Sequence, residues 1–237
     1  MRLALLFVIP LVVSAASPPA PGLPALPKDL SSPMQIIILM TLLTLLPAIL
    51  MSITPFLRIS IVLHFLRQAI GTQNAPSNQV LVGMTLFLTL VLVEPLGVKV
   101  YEKAWHPLEQ GEITPTEAWA AAATPLKEHL LRYVREKDVK LFLEITHTAP
   151  PRNSGDLDLT VLAPAYILSE MRAGFQIGAV MFLPFLLIDI VVASVTLSIG
   201  MVQLPPVMVS APFKILLFVL VDGWNLTIGS LMKGFAT

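Results

Sequence analysis

The chain has 237 residues, of which 55% are hydrophobic and only 13% are charged, and its formal net charge is zero. Soluble domains carry about 25% charged residues, so this composition excludes an ordinary water-exposed globular protein and indicates an integral membrane protein. Cysteine is absent, which excludes disulfides and thiolate metal sites, and the zero net charge provides no overall positive field for nucleic acid.

The first 16 residues have the layout of a signal peptide. Arg2 precedes an apolar run of about a dozen residues, and Ser14 and Ala16 are small residues placed for cleavage. The run is too short for a transmembrane helix. We therefore predict a cleaved signal peptide over residues 1–16, with an uncleaved short anchor as the alternative. Residues 17–33 form a proline-rich linker that we expect to be extended and at the surface.

Four apolar stretches follow the linker, and two short connections join them in pairs. The connections at 71–77 and 200–206 are short enough to predict antiparallel helical hairpins. Pro47, Pro55 and Arg58 interrupt the first stretch, so it must kink. We predict an all-α membrane-associated protein with two kinked helical hairpins, 34–100 and 166–237, flanking a small extramembrane insert. The stretches cover residues 34–66, 80–100, 166–200 and 207–232.

The insert, residues 101–165, is richer in charge than its surroundings. Thr114, Pro115 and Glu117 have the spacing of a helix start with a capping box. Apolar residues then recur at helical spacing between charged ones, which predicts amphipathic helices with a solvated charged face. With a cleaved signal peptide and two preceding spans, we expect the insert on the periplasmic side of the membrane.

No motif in the chain indicates catalysis. The four histidines are scattered, and neither a His-Glu-x-x-His motif, a nucleophile elbow nor a phosphate-binding glycine loop is present. An intramembrane hydrolase would need a paired nucleophile and base. A metal site built from His106 and nearby acids is a weak alternative. We predict that the protein is not an enzyme and holds no cofactor or metal.

Charged residues inside the apolar stretches are candidate functional groups, because a charge at the bilayer centre costs at least about 2.5–3.5 kcal/mol. Such groups face a bundle interior, a polar cavity or each other. If Pro205 and Pro206 form a hairpin tip, Asp189 and Asp222 each lie sixteen residues from it. They could share a proton, as in a proton-coupled transporter, or one of them could pair with a basic group of a neighbouring subunit. Glu94 also lies in an apolar stretch, near its end, and the predicted intersubunit or intramembrane polar residues are Arg58, Glu170, Arg172, Asp189, Lys214 and Asp222.

Two local patterns concern packing and the pore. Gly174 and Gly178 have the GxxxG spacing that allows close helix contact, in the same chain or between copies. The loop at 200–206 cannot be regular helix throughout because of its two prolines. Irregular backbone at membrane depth needs surrounding protein or water, so the loop is a candidate pore constriction, although an ordinary interfacial turn is the alternative. The predicted constriction residues are Met201, Val202, Gln203 and Leu204.

Seven segments of the chain match one known family in order: 54–59, 65–73, 78–81, 164–178, 185–194, 204–208 and 212–224. They resemble the FliP family, the flagellar branch of the type III secretion export-gate proteins. The resemblance covers about residues 34–100 and 164–231, and the injectisome proteins are its close relatives. The signal peptide and the sequence from Asp222 to Ser230 favour the flagellar branch.

This resemblance implies a specific assembly and function. Five copies would form a helical gate with FliR and FliQ in the flagellar basal body of the bacterial inner membrane, completed by FlhB and FlhA. Unfolded flagellar proteins would pass through its channel. The family places a methionine-rich gasket where this chain has the single methionine Met201, followed by Val202 and Gln203, and it implies a role in assembly for Glu170. Kinked helices would then contact protein more than lipid.

Overall fold

The computed structural model describes residues 32–72, 74–151, 153–201 and 205–236. Within these ranges the chain is helical and contains no β-strand, so the predicted all-α class is confirmed. Three helical segments, Ile36–Ile53, Asn78–Glu109 and Leu159–Ser198, are long and apolar enough to cross a membrane. The predicted signal peptide, the linker up to residue 31 and the constriction residues Val202, Gln203 and Leu204 lie outside the described residues.

The first apolar stretch folds into two helices rather than one. Helix α1 spans Ser32–Ile53 and α2 spans Phe56–Ile70, and the break falls immediately before Pro55, which cannot donate a backbone hydrogen bond. Gly71 ends α2 in the left-handed region, with φ of 85°. After the short turn, α3 spans Asn78–Val100, and the side chain of Ser77 caps its N-terminus by accepting the N–H of Val80.

Beyond α3 the insert folds back along the bundle. A π-helical turn, Tyr101–Trp105, leads from α3 into the short helix α4, His106–Glu109; α5 (Pro115–Tyr133) and α6 (Glu136–Ile145) follow. The predicted capping box at the start of α5 is confirmed: Thr114 accepts the N–H of Glu117, whose carboxylate accepts the N–H of Thr114 at 2.7 Å. That backbone hydrogen bond lowers the pKa of Glu117 below its usual value.

The longest helix, α7, spans Leu159–Ser198 and has 40 residues. At 1.5 Å per residue it is about 60 Å long, roughly twice the thickness of a bilayer core. It begins before the predicted end of the insert because the side chain of Asp158 caps its N-terminus. The last apolar stretch is again two helices, α8 (Pro206–Leu220) and α9 (Gly223–Ala236), which meet at a bend of 63°.

The core lies where α2, α3 and the insert pack on α7. One cluster joins α5, α6 and the first half of α7; the others join α2 to α3, α7, α8 and α9. The second half of α7 and most of α8 are instead exposed and apolar, and Leu187, Met208 and Leu220 are 63%, 72% and 73% exposed. One copy of the chain therefore cannot bury this surface from water. The fully buried core residues include Ile59, Val62, Leu63, Leu81, Leu130, Leu162, Ala165 and Tyr166.

The insert contains a histidine whose burial makes its stability depend on pH. The His129 ring lies 5.3 Å from the Tyr133 ring, and its Nε2 atom is buried without a hydrogen-bond partner among the described residues. Burial, and then the positive charge of Arg132, lowers the pKa of His129 below 6.5. The folded protein therefore binds this proton less tightly than the unfolded chain, so His129 lowers stability as pH falls below about 6.5.

We expect the thermal unfolding temperature in detergent to decline between about pH 6.5 and pH 5, and the decline to be shallower in a His129→Phe variant. Circular dichroism melts across this range provide the measurement. An equal slope in the two proteins would contradict the assignment, since His64, His106 and His147 remain in both.

Candidate functional site

The contact between α2 and α7 is the centre of the candidate site, and two glycines allow it. A Cβ atom on Gly174 would lie 3.1 Å from the Ile61 Cβ atom, and one on Gly178 would lie 2.6 Å from the Phe65 Cγ atom. Both distances are shorter than ordinary van der Waals contact. The partner of the GxxxG pattern in this structure is therefore α2 of the same chain, a point that sequence spacing left open.

A buried ion pair lies at one end of this contact. Arg58 on α2 donates two hydrogen bonds to the two carboxylate oxygens of Glu170 on α7, one of them at 2.9 Å from its Nε atom. The Glu170 side chain is fully buried and that of Arg58 is 11% exposed. The Arg58 guanidinium also lies 4.2 Å from the centroid of the Phe235 ring and 5.7 Å from that of Tyr133. One side chain thus links α2, α5, α7 and α9.

A second polar cluster attaches the insert to α7. Arg172 pairs with Asp138 of α6 at 3.2 Å, and Ser169 donates a hydrogen bond to the same carboxylate at 2.7 Å. The Ser169 hydroxyl in turn accepts the backbone N–H of Arg135 at 3.0 Å. Asp138 is 1% exposed, so the prediction of a solvated charge is wrong at this position. Asp138 is one of the buried residues of α6, with Val139 and Leu143, but its position among charged residues gives no local sequence signal of that burial.

The third ion pair lies in the exposed apolar part of the fold. Lys214 of α8 donates to Asp189 of α7 at 2.6 Å, and Ser210 donates to the other carboxylate oxygen. Lys214 is 2% exposed, whereas Asp189 is 20% exposed. Each charge therefore has its partner within the chain, and this pair forms a polar contact between two otherwise apolar helices.

Asp222 does not share that contact. It lies at the bend between α8 and α9 with φ of 50°, and its carboxylate accepts a hydrogen bond from the Asn225 side chain at 3.1 Å. The bend is close-packed, since a Cβ atom on Gly223 would overlap the Phe218 ring. Asp189 and Asp222 thus have different partners, and this arrangement gives no support to a proton shared between them.

The tip after α7 is shaped by glycine as well as by proline. Gly200 has φ of 81°, its N–H donates to the carbonyl of Leu197, and the N–H of Met201 donates to that of Thr196. These two bonds are the Schellman arrangement that ends a helix. Met201 follows directly and is 43% exposed. Sequence reasoning attributed the irregular backbone to Pro205 and Pro206, but α8 already begins at Pro206.

No side-chain cluster with the composition of a metal site occurs in the described ranges: three or more His, Cys, Asp or Glu residues do not come together there. The polar groups that the fold does bring together are ion pairs with complementary charge. Their geometry can hold helices against each other.

Comparison with known proteins identifies relatives over most of the chain. A sequence model described as the FliP family matches residues 39–231. The chain is 45% identical over 209 residues to the flagellar biosynthetic protein FliP of Bacillus subtilis, covering 88% of this chain and 95% of that protein. It is 46% identical over 201 residues to that of Pectobacterium carotovorum, covering 85% and 78%, and 38% identical over 214 residues to that of Treponema denticola, covering 90% and 79%.

Proposed function

The chain belongs to the FliP family, and on that premise we propose that it is a pore-forming subunit of the flagellar type III protein export gate. In this role it conducts unfolded flagellar proteins across the bacterial inner membrane. The relatives named above are flagellar proteins, which favours this branch over an injectisome subunit.

The observation that carries the proposal is the α7–α8 pair. Its helices are apolar and exposed, while its charges, Asp189 and Lys214, are paired with each other. An apolar surface with its polar groups already satisfied suits burial against other hydrophobic helices. Copies of this chain packed side by side around a channel would provide that burial, and α8 begins beside the tip that holds Met201.

The assembly that we propose is a homopentamer that binds FliR and FliQ, with FlhB and FlhA completing the apparatus in the basal body. The partners and the number five come from the family resemblance, and the exposed α7–α8 surface is consistent with them. Mass spectrometry of the intact complex, gently extracted with FliR and FliQ co-expressed, tests this. A ring near pentamer mass supports the proposal, and strictly monomeric material would contradict it.

The orientation that we propose has the signal peptide cleaved and the insert, residues 101–165, on the periplasmic side. The charged helices α5 and α6 support a water-facing location for the insert. Because the chain contains no cysteine, a single introduced cysteine at the exposed Thr116 can be labelled in intact cells. Labelling by a membrane-impermeant maleimide is expected; labelling only after cell lysis would contradict this orientation.

Residues Met201, Val202, Gln203 and Leu204 are the proposed constriction. We expect replacement of Met201 by alanine to increase ion leak through the assembled gate, because a long flexible side chain is removed from a narrow ring. Conductance of the gate in planar bilayers provides the measurement. Met40→Ala is the matched control, since Met40 is 57% exposed on α1 and belongs to neither the tip nor the α7–α8 pair. Equal leak in the two variants would remove Met201 from the constriction.

A further inference from the structure

One side of α3 is exposed along most of the helix and carries a single charge. Val80, Phe87 and Val91 are 52%, 74% and 59% exposed, and Glu94 is exposed as well. At about 100° per residue these four positions lie within roughly 60° of each other around the helix. Leu92 lies about 200° from Glu94 and packs against the core. We refer to Val80, Phe87, Val91 and Glu94 as the α3 face.

Glu94 has no counter-ion in the single chain. It lies near the middle of the candidate span Asn78–Glu109, where an unpaired charge is costly. None of the ion pairs formed by the described residues includes it. Lys99, the other charged residue of α3, pairs with Glu128 and lies about 140° away around the helix. The α3 face therefore suits a partner helix that brings a cation.

A groove between α7 and α9 has the complementary form. Its volume is about 330 Å³, and Ile177 and Met181 of α7 form its apolar wall. The α9 side includes the small residues Ser230 and Gly234, and small residues allow two helices to approach closely. A Cβ atom on Gly234 would meet no other atom within 4 Å. We refer to this cavity as the α7–α9 groove.

The rim of the α7–α9 groove supplies the cation. Lys233 precedes the groove residue Gly234, is exposed, and takes part in no ion pair of the described residues. Arg58 also lines the groove, but its charge is compensated by Glu170. The acid Asp222 lies about three helical turns from Lys233. A groove with one uncompensated cation therefore faces the requirement of the α3 face for one cation.

The two charges lie at the same height in the molecule. Lys99 of α3 lies 4.0 Å from Glu128 of α5. Tyr133 is five residues further along α5, which runs back along α3, so it lies about 7.5 Å back from Lys99 and level with Glu94. The Tyr133 hydroxyl donates to the carbonyl of Phe235 at 3.0 Å. Phe235 is two residues from the lysine on the groove rim, which places that lysine close to the level of Glu94.

The two helices also run in the same direction. Trp224, at the start of α9, packs against a cluster that contains Ala69 and Ile70 at the end of α2. Phe235, at the end of α9, lies over the guanidinium of Arg58 near the start of α2. Helix α9 therefore runs opposite to α2, as α3 does in its hairpin with α2.

These relations are the ones that a ring of identical subunits requires. Rotation about the membrane normal preserves the height and direction of every helix, and each subunit presents different surfaces to its two neighbours. Helices α3 and α7 both pack on α2 and make few contacts with each other. The α3 face and the α7–α9 groove therefore lie on different sides of the molecule, where neighbouring copies can join them.

We propose that the α3 face of one copy packs into the α7–α9 groove of the next copy, with Glu94 paired to Lys233. Phe87 and Leu226 each lie seven residues before these charges, so parallel packing places them side by side. The inference rests on the homo-oligomer of the proposed function, and it adds a contact separate from the α7–α8 pair.

Charge reversal in the gently extracted complex tests the ion pair, with the mass of the ring as the readout. We expect Glu94→Lys and Lys233→Glu each to abolish the ring, and the two changes together to restore it. Glu109→Lys is the matched control, because Glu109 is exposed at the end of α4 and should leave the ring intact. Circular dichroism establishes that each variant keeps its helical content. A ring that survives both single reversals, or a double variant that remains dissociated, would overturn the proposal.

Disulfide cross-linking tests the contact in the intact ring. Because the chain has no cysteine, two differently tagged chains, one with Glu94→Cys and one with Lys233→Cys, can join only through these positions. We expect a cross-linked dimer on oxidation that requires both chains. Val93→Cys in place of Glu94→Cys is the matched control, at the same height but about 100° away around α3.

The outcomes separate this contact from the proposed function. An intact ring without the Glu94–Lys233 cross-link, or with no more of it than Val93→Cys gives, would overturn the contact and leave the oligomer standing. That result is expected if lipid or a different protein covers the α3 face. Absence of a ring in the original protein would contradict the proposed function and this contact together.

Discussion

Replacing Glu170 by alanine is expected to lower the free energy of unfolding by about 3–5 kcal/mol, because the change leaves the Arg58 guanidinium in the core without its counter-ion. Both oxygens of this fully buried carboxylate accept hydrogen bonds from Arg58. The remaining Phe235 and Tyr133 rings contact the guanidinium through their faces, and such contacts contribute about 0.5–2 kcal/mol, too little to replace a carboxylate. Denaturant unfolding in detergent, followed by circular dichroism, measures the loss.

A matched control separates the effect of burying an ion pair from the effect of removing a charge. Glu128 also forms an ion pair, with Lys99 at 4.0 Å, but both side chains are more than half exposed. Exposed pairs contribute at most about 1 kcal/mol, so Glu128→Ala should change the unfolding free energy far less than Glu170→Ala. Similar effects of the two substitutions would mean that the Arg58–Glu170 pair is not buried in the folded protein.

A double variant tests whether the pair contributes stability or specificity. When both partners of a buried pair are replaced by apolar side chains of similar size, the protein is often as stable as before. We therefore expect Arg58→Met with Glu170→Met to recover much of the stability that Glu170→Ala loses. If the double variant folds but fails to assemble, the pair serves to fix the arrangement of α2, α5, α7 and α9 rather than to stabilise the single chain.

The sequence identifies the charged residues of the core but not their partners. Arg58, Glu170 and Asp189 stand out because a charge in an apolar stretch is costly. Glu170 lies 112 residues from its partner Arg58, and Asp189 lies 25 from Lys214, and no local rule connects such distant positions. For Asp138 the sequence misses the burial itself. Asp138 lies in a segment with many charged residues, which predicts a solvated side chain, and its burial depends on tertiary packing that composition does not reveal.

Helix breaks, like the charged residues, divide into those that the local sequence predicts and those that depend on tertiary packing. The break before Pro55 and the capping box at Thr114 depend on local backbone chemistry, and the sequence predicts both. Pro47 and Arg58, which it also marked as interruptions, lie inside α1 and α2. The bend between α8 and α9 lies within a stretch that hydropathy treats as continuous, and it depends on the Phe218 ring packing over Gly223. Of the four predicted constriction residues, the structure describes Met201, whereas Val202, Gln203 and Leu204 lie outside the described residues.

The glycines of α7 give the second prediction with a large expected effect. A Gly178→Ala substitution should destabilise the protein even though alanine is the better helix former by about 1 kcal/mol. The new Cβ atom would lie 2.6 Å from the Cγ atom and 2.9 Å from the Cβ atom of Phe65. A ring that is contacted so close to its own backbone cannot rotate away, so α2 must shift from α7. Overpacking of this kind costs about 1–3 kcal/mol, and we expect the net effect to be destabilising.

Glycines of α3 provide the control for this experiment, and a second change in the core tests the contact with Phe65. A Cβ atom added to Gly83 or Gly97 would meet no other atom within 4 Å, so Gly97→Ala should be neutral or slightly stabilising. Gly178→Ala should cost less in a Phe65→Ala background than in the original protein, because the Cγ atom that the new methyl group would meet is then absent. Thermal unfolding of the original protein, the three single variants and the double variant measures the differences. A Gly178→Ala protein as stable as Gly97→Ala would mean that α2 and α7 are not in close contact, and the placement of Arg58 opposite Glu170, which depends on that contact, would fail with it.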